Sequence, residues 1–169
     1  MKKLLLLSVI ALVTIGVQAQ NDKSKRPSPP AKVSETTNKG VTITIDYSQP
    51  AVKGREIGKE IAPYGQVWRT GANEATVFEV NKEVKVEGKA LPAGKYGLYS
   101  IPGKDEWVII FNKTWKQWGT NYTEADDALR VKVKPGKAPA FTERMTFAVA
   151  KDGKVSLMWG NDEVDFTVQ

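Results

Sequence analysis

Apolar and polar residues alternate with a period of two along most of this chain, from Val33 to the C-terminus. Val41, Ile43, Ile45 and Tyr47 are separated by Thr42, Thr44 and Asp46. That pattern predicts a half-buried strand. Asn38-Lys39-Gly40 just before it suits a short turn back to residues 33–37. Further strands are predicted over 75–80, 84–87, 95–101 and 106–112. In the last of these, Trp107-Val108-Ile109-Ile110-Phe111 is apolar on both faces and should be central. Leu129, Val131 and Val133 alternate with basic residues, and Met145, Phe147 and Val149 repeat the alternation. Lys151-Asp152-Gly153-Lys154 is a hairpin turn into Val155, Leu157 and Trp159, and Val164, Phe166 and Val168 form a last strand. Two long connections interrupt the series, 50–65 and 113–128. Ile57 and Ile61, at i and i+4, suggest one or two helical turns in the first. No helix is long enough for a βαβ crossover. The expected fold is all-β: one antiparallel β-sandwich or flattened barrel of about nine strands, with two long loops and at most one short helix.

The N-terminus has a different pattern. Lys2 and Lys3 precede an apolar run over 4–17, broken only by Ser8, Thr14 and Gly16. Val17-Gln18-Ala19 then places small residues at the positions signal peptidase reads. Residues 1–19 therefore read as a secretory signal, with a mature chain from Gln20. The run is short for a bilayer span of ~20 residues, so no membrane span is expected after its removal. Residues 20–30 are polar, end in Pro27-Ser28-Pro29-Pro30, and read as a disordered or polyproline leader. Residues 31–169 form the single β domain. The expected location is the periplasm or the extracellular medium.

Composition narrows the chemistry. The chain has no His and no Cys. A Ser-His-Asp or Cys-His site is excluded, as are disulfides, a lipid-attachment cysteine and zinc or copper sites built from Cys and His. No cofactor or metal is expected. The formal charge is +6, but the basic residues are dispersed rather than clustered, which argues against nucleic acid as a partner.

Two segments stand out as candidate sites. Residues 66–76 carry Trp68, Arg69, Asn73 and Glu74 within seven positions at the mouth of a strand. Arg offers a planar fork for carboxylate or phosphate, and Trp offers a flat face for sugars or cations. The competing structural account pairs Arg69 with Glu74, caps the core with Trp68 and gives Gly71 a positive φ. Residues 113–122 carry Trp115, Trp118 and Tyr122 among polar residues, which suits a stacking platform for a glycan or protein. The alternative is that these aromatics plug an open end of the sandwich. Glu124, Asp126 and Asp127 match no calcium-loop spacing and read as a solvated turn.

Asp46-Tyr47-Ser48-Gln49-Pro50, the run from Val67 to Thr76, the run from Leu91 to Gly103, and Lys116-Gln117-Trp118-Gly119 also occur, in this order, in a bacterial secreted family that the chain resembles. That family is catalogued as domain of unknown function 2911. The resemblance implies an exported β-rich domain and supplies no activity, substrate or catalytic residue. The sequence thus supports an exported, non-catalytic binding module of the bacterial envelope. Its partner would be a glycan, a peptidoglycan fragment, a peptide or an envelope protein. The candidate ligand-binding residues are Trp68, Arg69, Asn73, Glu74, Tyr99, Trp115 and Trp118, with no catalytic residue assigned. The alternatives are a carboxylate-based hydrolase such as a glycosidase, using Glu74 with Asp46 or Glu60, and a purely structural envelope protein.

Overall fold

Six of the alternating segments lie side by side in one antiparallel sheet. Its strands are β1 (Pro30–Thr36), β2 (Thr42–Ser48), β3 (Thr76–Val80), β6 (Gly94–Ile101), β7 (Trp107–Asn112) and β8 (Asp127–Val133), in the order β1-β2-β3-β6-β7-β8. The computed structural model describes residues 22–169. The signal segment and the cleavage point before Gln20 lie outside the described residues. The β1–β2 hairpin pairs Val33 with Ile45 and turns at Gly40, whose φ is +74°.

A second layer covers one face of this sheet. It consists of the long hairpin β9 (Pro135–Val149) and β10 (Lys154–Thr167) and the short hairpin β4 (Val84–Val86) and β5 (Lys89–Leu91). Lys85 and Gln169 exchange backbone hydrogen bonds, which ties β4 to the end of β10. The result is an open sandwich, not a closed barrel. Between the layers lies the main core: Ile43, Ile45, Phe78, Leu98, Ile109 and Phe111 from the large sheet meet Met145, Phe147, Leu157, Val164 and Phe166. The alternation puts these residues on one face and pleating does the rest. Apolar burial supplies most of the stabilisation. On the edge strand β8, Val131 and Val133 are buried in this core, and Leu129 packs against it half-buried.

The doubly apolar reading of β7 holds for a physical reason. Trp107, Ile109 and Phe111 face the main core, while Ile110 faces the other side and packs with Tyr99 and Ala75 in a second, smaller cluster. The loop after β7 covers that cluster through Tyr122, 4.9 Å from the Tyr99 ring.

Three expectations need correction. The two strands expected over 155–159 and 164–168 are one, β10, which ends at Thr167. Gly160, at φ +60°, sits at register shifts that bend β10 without ending it. Ile57 and Ile61 do not lie on a helix. They pair with each other across a turn, with Gly58 at φ +89° beneath the Tyr64 ring. Among the described residues the only helical pieces are two 3-10 turns, Lys23–Lys25 and Glu124–Asp126. Finally, the described part of the leader, residues 22–29, is tied to the domain. The Pro29 carbonyl accepts from Gln49 N (2.9 Å), the Ser28 carbonyl from Asn73 Nδ2 (3.0 Å) and the Pro27 carbonyl from Arg144 Nη1 (3.1 Å). One backbone N–H and two side chains thus satisfy the carbonyls of this segment.

Candidate functional site

Trp68 hangs the 66–76 segment on the sheet. Its backbone exchanges both hydrogen bonds with Ser100 of β6, at 2.7 and 2.9 Å. The chain then turns at Thr70, a buried residue at φ +46°. Such a conformation costs a β-branched residue ~1–3 kcal/mol. Two bonds hold it there: Thr70 Oγ1 donates to Ser100 Oγ (2.9 Å), and Thr76 Oγ1 donates to the Thr70 carbonyl (2.8 Å). Gly71 does not supply the positive φ expected of it; Thr70 and Asn73 (φ +61°) do. Gly71 serves by its size, since a Cβ there would lie 2.7 Å from Thr76 Oγ1.

The two candidate segments are zipped together. Gly119 N donates to the Asn73 carbonyl (3.0 Å), and Ala75 N donates to the Gln117 carbonyl (3.1 Å). Gly119 is required because the Arg69 side chain passes over it. A Cβ at 119 would meet Arg69 Cδ at 2.3 Å and the Asn73 carbonyl oxygen at 2.9 Å. This junction aims Arg69 into a cleft of about 600 Å³. The size is that of a small-ligand pocket.

Trp68, Tyr99, Tyr122 and Trp159 supply its aromatic lining, and Arg55 and Arg69 its charge. No Asp or Glu lines it. Trp68 stacks on Trp159, with centroids 5.2 Å apart and planes 10° from parallel, and meets Trp107 edge-on. Arg69 Nε and Trp159 Nε1 are both buried and have no hydrogen-bond acceptor. Buried donors are ordinarily satisfied, so these two, like the buried Asp165 Oδ1, are polar atoms that the described residues leave unanswered. The Tyr99 hydroxyl accepts from Gln117 Nε2 (3.0 Å). Burial pushes its pKa up, while that bond and the Arg69 charge pull against the rise. It therefore stays a neutral donor. The Tyr122 hydroxyl donates to Asp127 Oδ2 (2.6 Å) and accepts from Arg130 Nη2 (2.7 Å). Burial and the adjacent carboxylate push it up to about 12.

Glu74 lies elsewhere. It does not pair with Arg69. Its partners come from the N-terminal segment: Arg26 Nη1 at 2.8 Å and Lys23 Nζ at 3.0 Å. Burial works to raise its pKa, but hydrogen bonds from its own N–H, Lys23 and Arg26, with the Lys23 charge, hold the carboxyl down at about 2. Asn73 is a clamp on Ser28 rather than an open contact. Trp115 sits beneath the Lys95 ammonium, 5.3 Å from its ring. Trp118 is 48% exposed and bridges to Glu74 through its backbone. Of Trp115, Trp118 and Tyr122, only Tyr122 lines the cleft.

Of the seven candidates, the cleft gathers Trp68, Arg69 and Tyr99. Tyr122 of the second candidate segment joins them, as do Arg55 and Trp159, which the sequence pattern did not single out. Nothing in the local pattern marks Arg55, and Trp159 reads as a plain core position. The acidic turn is engaged internally: Glu124 and Asp127 pair with Arg130, and Asp126 accepts from Thr114.

An open antiparallel sandwich carrying an arginine-bearing aromatic cleft at one end is the class of protein that fold and site define. The chain belongs to the family described as a protein of unknown function (DUF2911), whose model matches residues 28–168. The match begins at Ser28, itself a residue of the cleft. No curated protein and no solved structure matches the chain.

Proposed function

We propose that this domain is an exported, non-catalytic binding module whose ligand presents a carboxylate or phosphate group to Arg69. One observation carries the reading: Arg69 lines the cleft without an ion-pair partner, and among the described residues no carboxylate lines it. A guanidinium edge in a partly dehydrated site is a preformed seat for a planar anion. The aromatic residues beside it suit the apolar face of a ring, as in an acidic envelope glycan or a peptidoglycan fragment. The signal-like N-terminus supports the location.

The hydrolase alternative finds less support. Glu74 and Asp46 do line one smaller pocket, but Lys23 and Arg26 share it. A carboxyl held at about 2 is a poor proton donor near neutral pH. The test is a calorimetric binding screen of N-acetylglucosamine, N-acetylmuramic acid and soluble peptidoglycan fragments against the wild type and Arg69→Met. The acid-bearing compounds should bind the wild type and lose binding to Arg69→Met, whose melting temperature stays close to that of the parent. Equal binding by Arg69→Met, or no binding of any acidic fragment, would sink the reading.

A further inference from the structure

We infer that the ligand carries two acid groups, one seated on Arg69 and the second on Arg55; this rests on the reading of the cleft as an anion site. The described residues contain five arginines. Arg26 and Arg130 are in ion pairs with carboxylates, and Arg144, which does not line the cleft, donates to the Pro27 and Gln49 carbonyls; Arg55 and Arg144 are both exposed residues. The other two, Arg55 and Arg69, are the ones that line the large cleft, and neither forms an ion pair among the described residues.

Arg55 is built for the role. Its Nε donates to the Val52 carbonyl (3.1 Å) and its Nη2 to the Ala51 carbonyl (2.7 Å). These bonds fix the guanidinium plane and leave Nη1 without an acceptor among the described residues. A guanidinium immobilised by backbone loses little side-chain entropy when it takes up an anion. Glu56 and Asp162 share an adjoining pocket with Arg55, and on the cleft side, where no carboxylate lines the wall, the two like charges raise the local potential for anions. A single acid group would neutralise only one of them. A cleft of about 600 Å³ has room for a body that spans both. The second acid group is a carboxylate or a phosphate, since a guanidinium accepts either.

The test is an NMR titration of the full mature chain, following the Nε–Hε signals of Arg55 and Arg69. The probes are butyrate with one acid group, succinate, adipate and suberate with two carboxylates at increasing separation, and 3-phosphoglycerate with a carboxylate and a phosphate. At least one diacid should bind about tenfold or more tighter than butyrate and shift both arginine signals, as expected for one added charge-assisted contact. Arg55→Gln should bring that diacid down to the butyrate level, and Arg69→Gln should abolish the shifts caused by both. Arg55→Lys keeps the charge if loss of the carbonyl contacts unfolds Arg55→Gln, and it should retain part of the diacid preference. Tightest binding by 3-phosphoglycerate upholds the inference with phosphate as one of the two groups. Equal affinity for butyrate and every diacid, with only Arg69 responding, overturns it and leaves the anion-site reading standing. Silence of the Arg69 signal to every probe overturns both.

Discussion

The lock on Glu74 separates a structural role from a ligand role, and its strength follows from the geometry. Arg26 and Lys23 each approach one carboxylate oxygen, at 2.8 and 3.0 Å. The Glu74 side chain is 40% exposed, Arg26 28% and Lys23 58%. Fully buried pairs lose ~3–5 kcal/mol when one partner is removed, and exposed pairs ~0–1. This half-exposed three-member cluster belongs between them. Solvent screening reduces what the low carboxyl pKa would imply, so Glu74→Gln should cost about 1–2 kcal/mol. A double-mutant cycle in urea makes the assignment. Arg26→Ala with Glu74→Gln should couple by about 1 kcal/mol, whereas Arg69→Ala with Glu74→Gln should be additive within about 0.5 kcal/mol. Acid provides a second readout. The ordinary carboxyl titrates at 4.5 and the folded Glu74 at about 2. In that window the unfolded chain binds more protons than the folded one. The contribution is therefore complete above pH 4.5 and drains away as the pH falls through about 2. Glu74→Gln should flatten this acid limb. Coupling of Arg69 to Glu74 above about 1 kcal/mol, or an acid limb unchanged by Glu74→Gln, would refute the pairing.

Two further outcomes test the frame around the cleft. Ile109→Ala, at a position 2% exposed in the centre of β7, should lower the unfolding free energy in urea by ~2–5 kcal/mol, and a loss under about 1 kcal/mol would place the residue outside the core. Gly119→Ala should cost ~1–3 kcal/mol by overpacking and displace Arg69, so its Nε–Hε signal should move; a variant with parental stability and an unmoved signal would contradict the close approach of Arg69 Cδ to residue 119.

The strands were legible because alternation is a local signal that burial on one face enforces. The continuity of β10 through Gly160 was not. A bulge that bends a strand and a turn that ends it share residue types. Arg69 was legible as chemistry because Arg, Trp, Asn and Glu crowd one short run. Its relation to Glu74 was misjudged for a physical reason. Nearness in sequence favours a pair only when both side chains leave the backbone on the same side. Here the left-handed residues Thr70 and Asn73 intervene between them. Glu74 instead meets charges 48 and 51 positions upstream, in a segment whose composition resembles a free leader. Arg55 carries no local mark at all, since its role depends on two carbonyls that fix its plane.

Strain supplies a last argument about where the function lies. Among the described residues, five that are not glycine have positive φ: Lys53, Ala62, Thr70, Asn73 and Glu87. Glu87 sits with Gly88 in the β4–β5 hairpin turn, where such angles match the strand twist. Ala62 lines the cleft itself, Thr70 adjoins Arg69, Asn73 holds Ser28 at the cleft, and Lys53 lies two residues from Arg55. Of these four only Ala62 belongs to the main core; Lys53, Thr70 and Asn73 lie in the connections around the cleft. Thr70 is the most expensive, being β-branched and buried; its hydroxyl donates to Ser100 Oγ, a bond a glycine could not make, and its carbonyl accepts from Thr76 Oγ1. Those bonds fix the backbone next to Arg69, while Gly119 clears the path of its side chain. Strain, an unanswered guanidinium and a glycine kept for space meet at one cleft. That concentration is what a preorganised binding site requires and what a purely structural end of a sandwich does not.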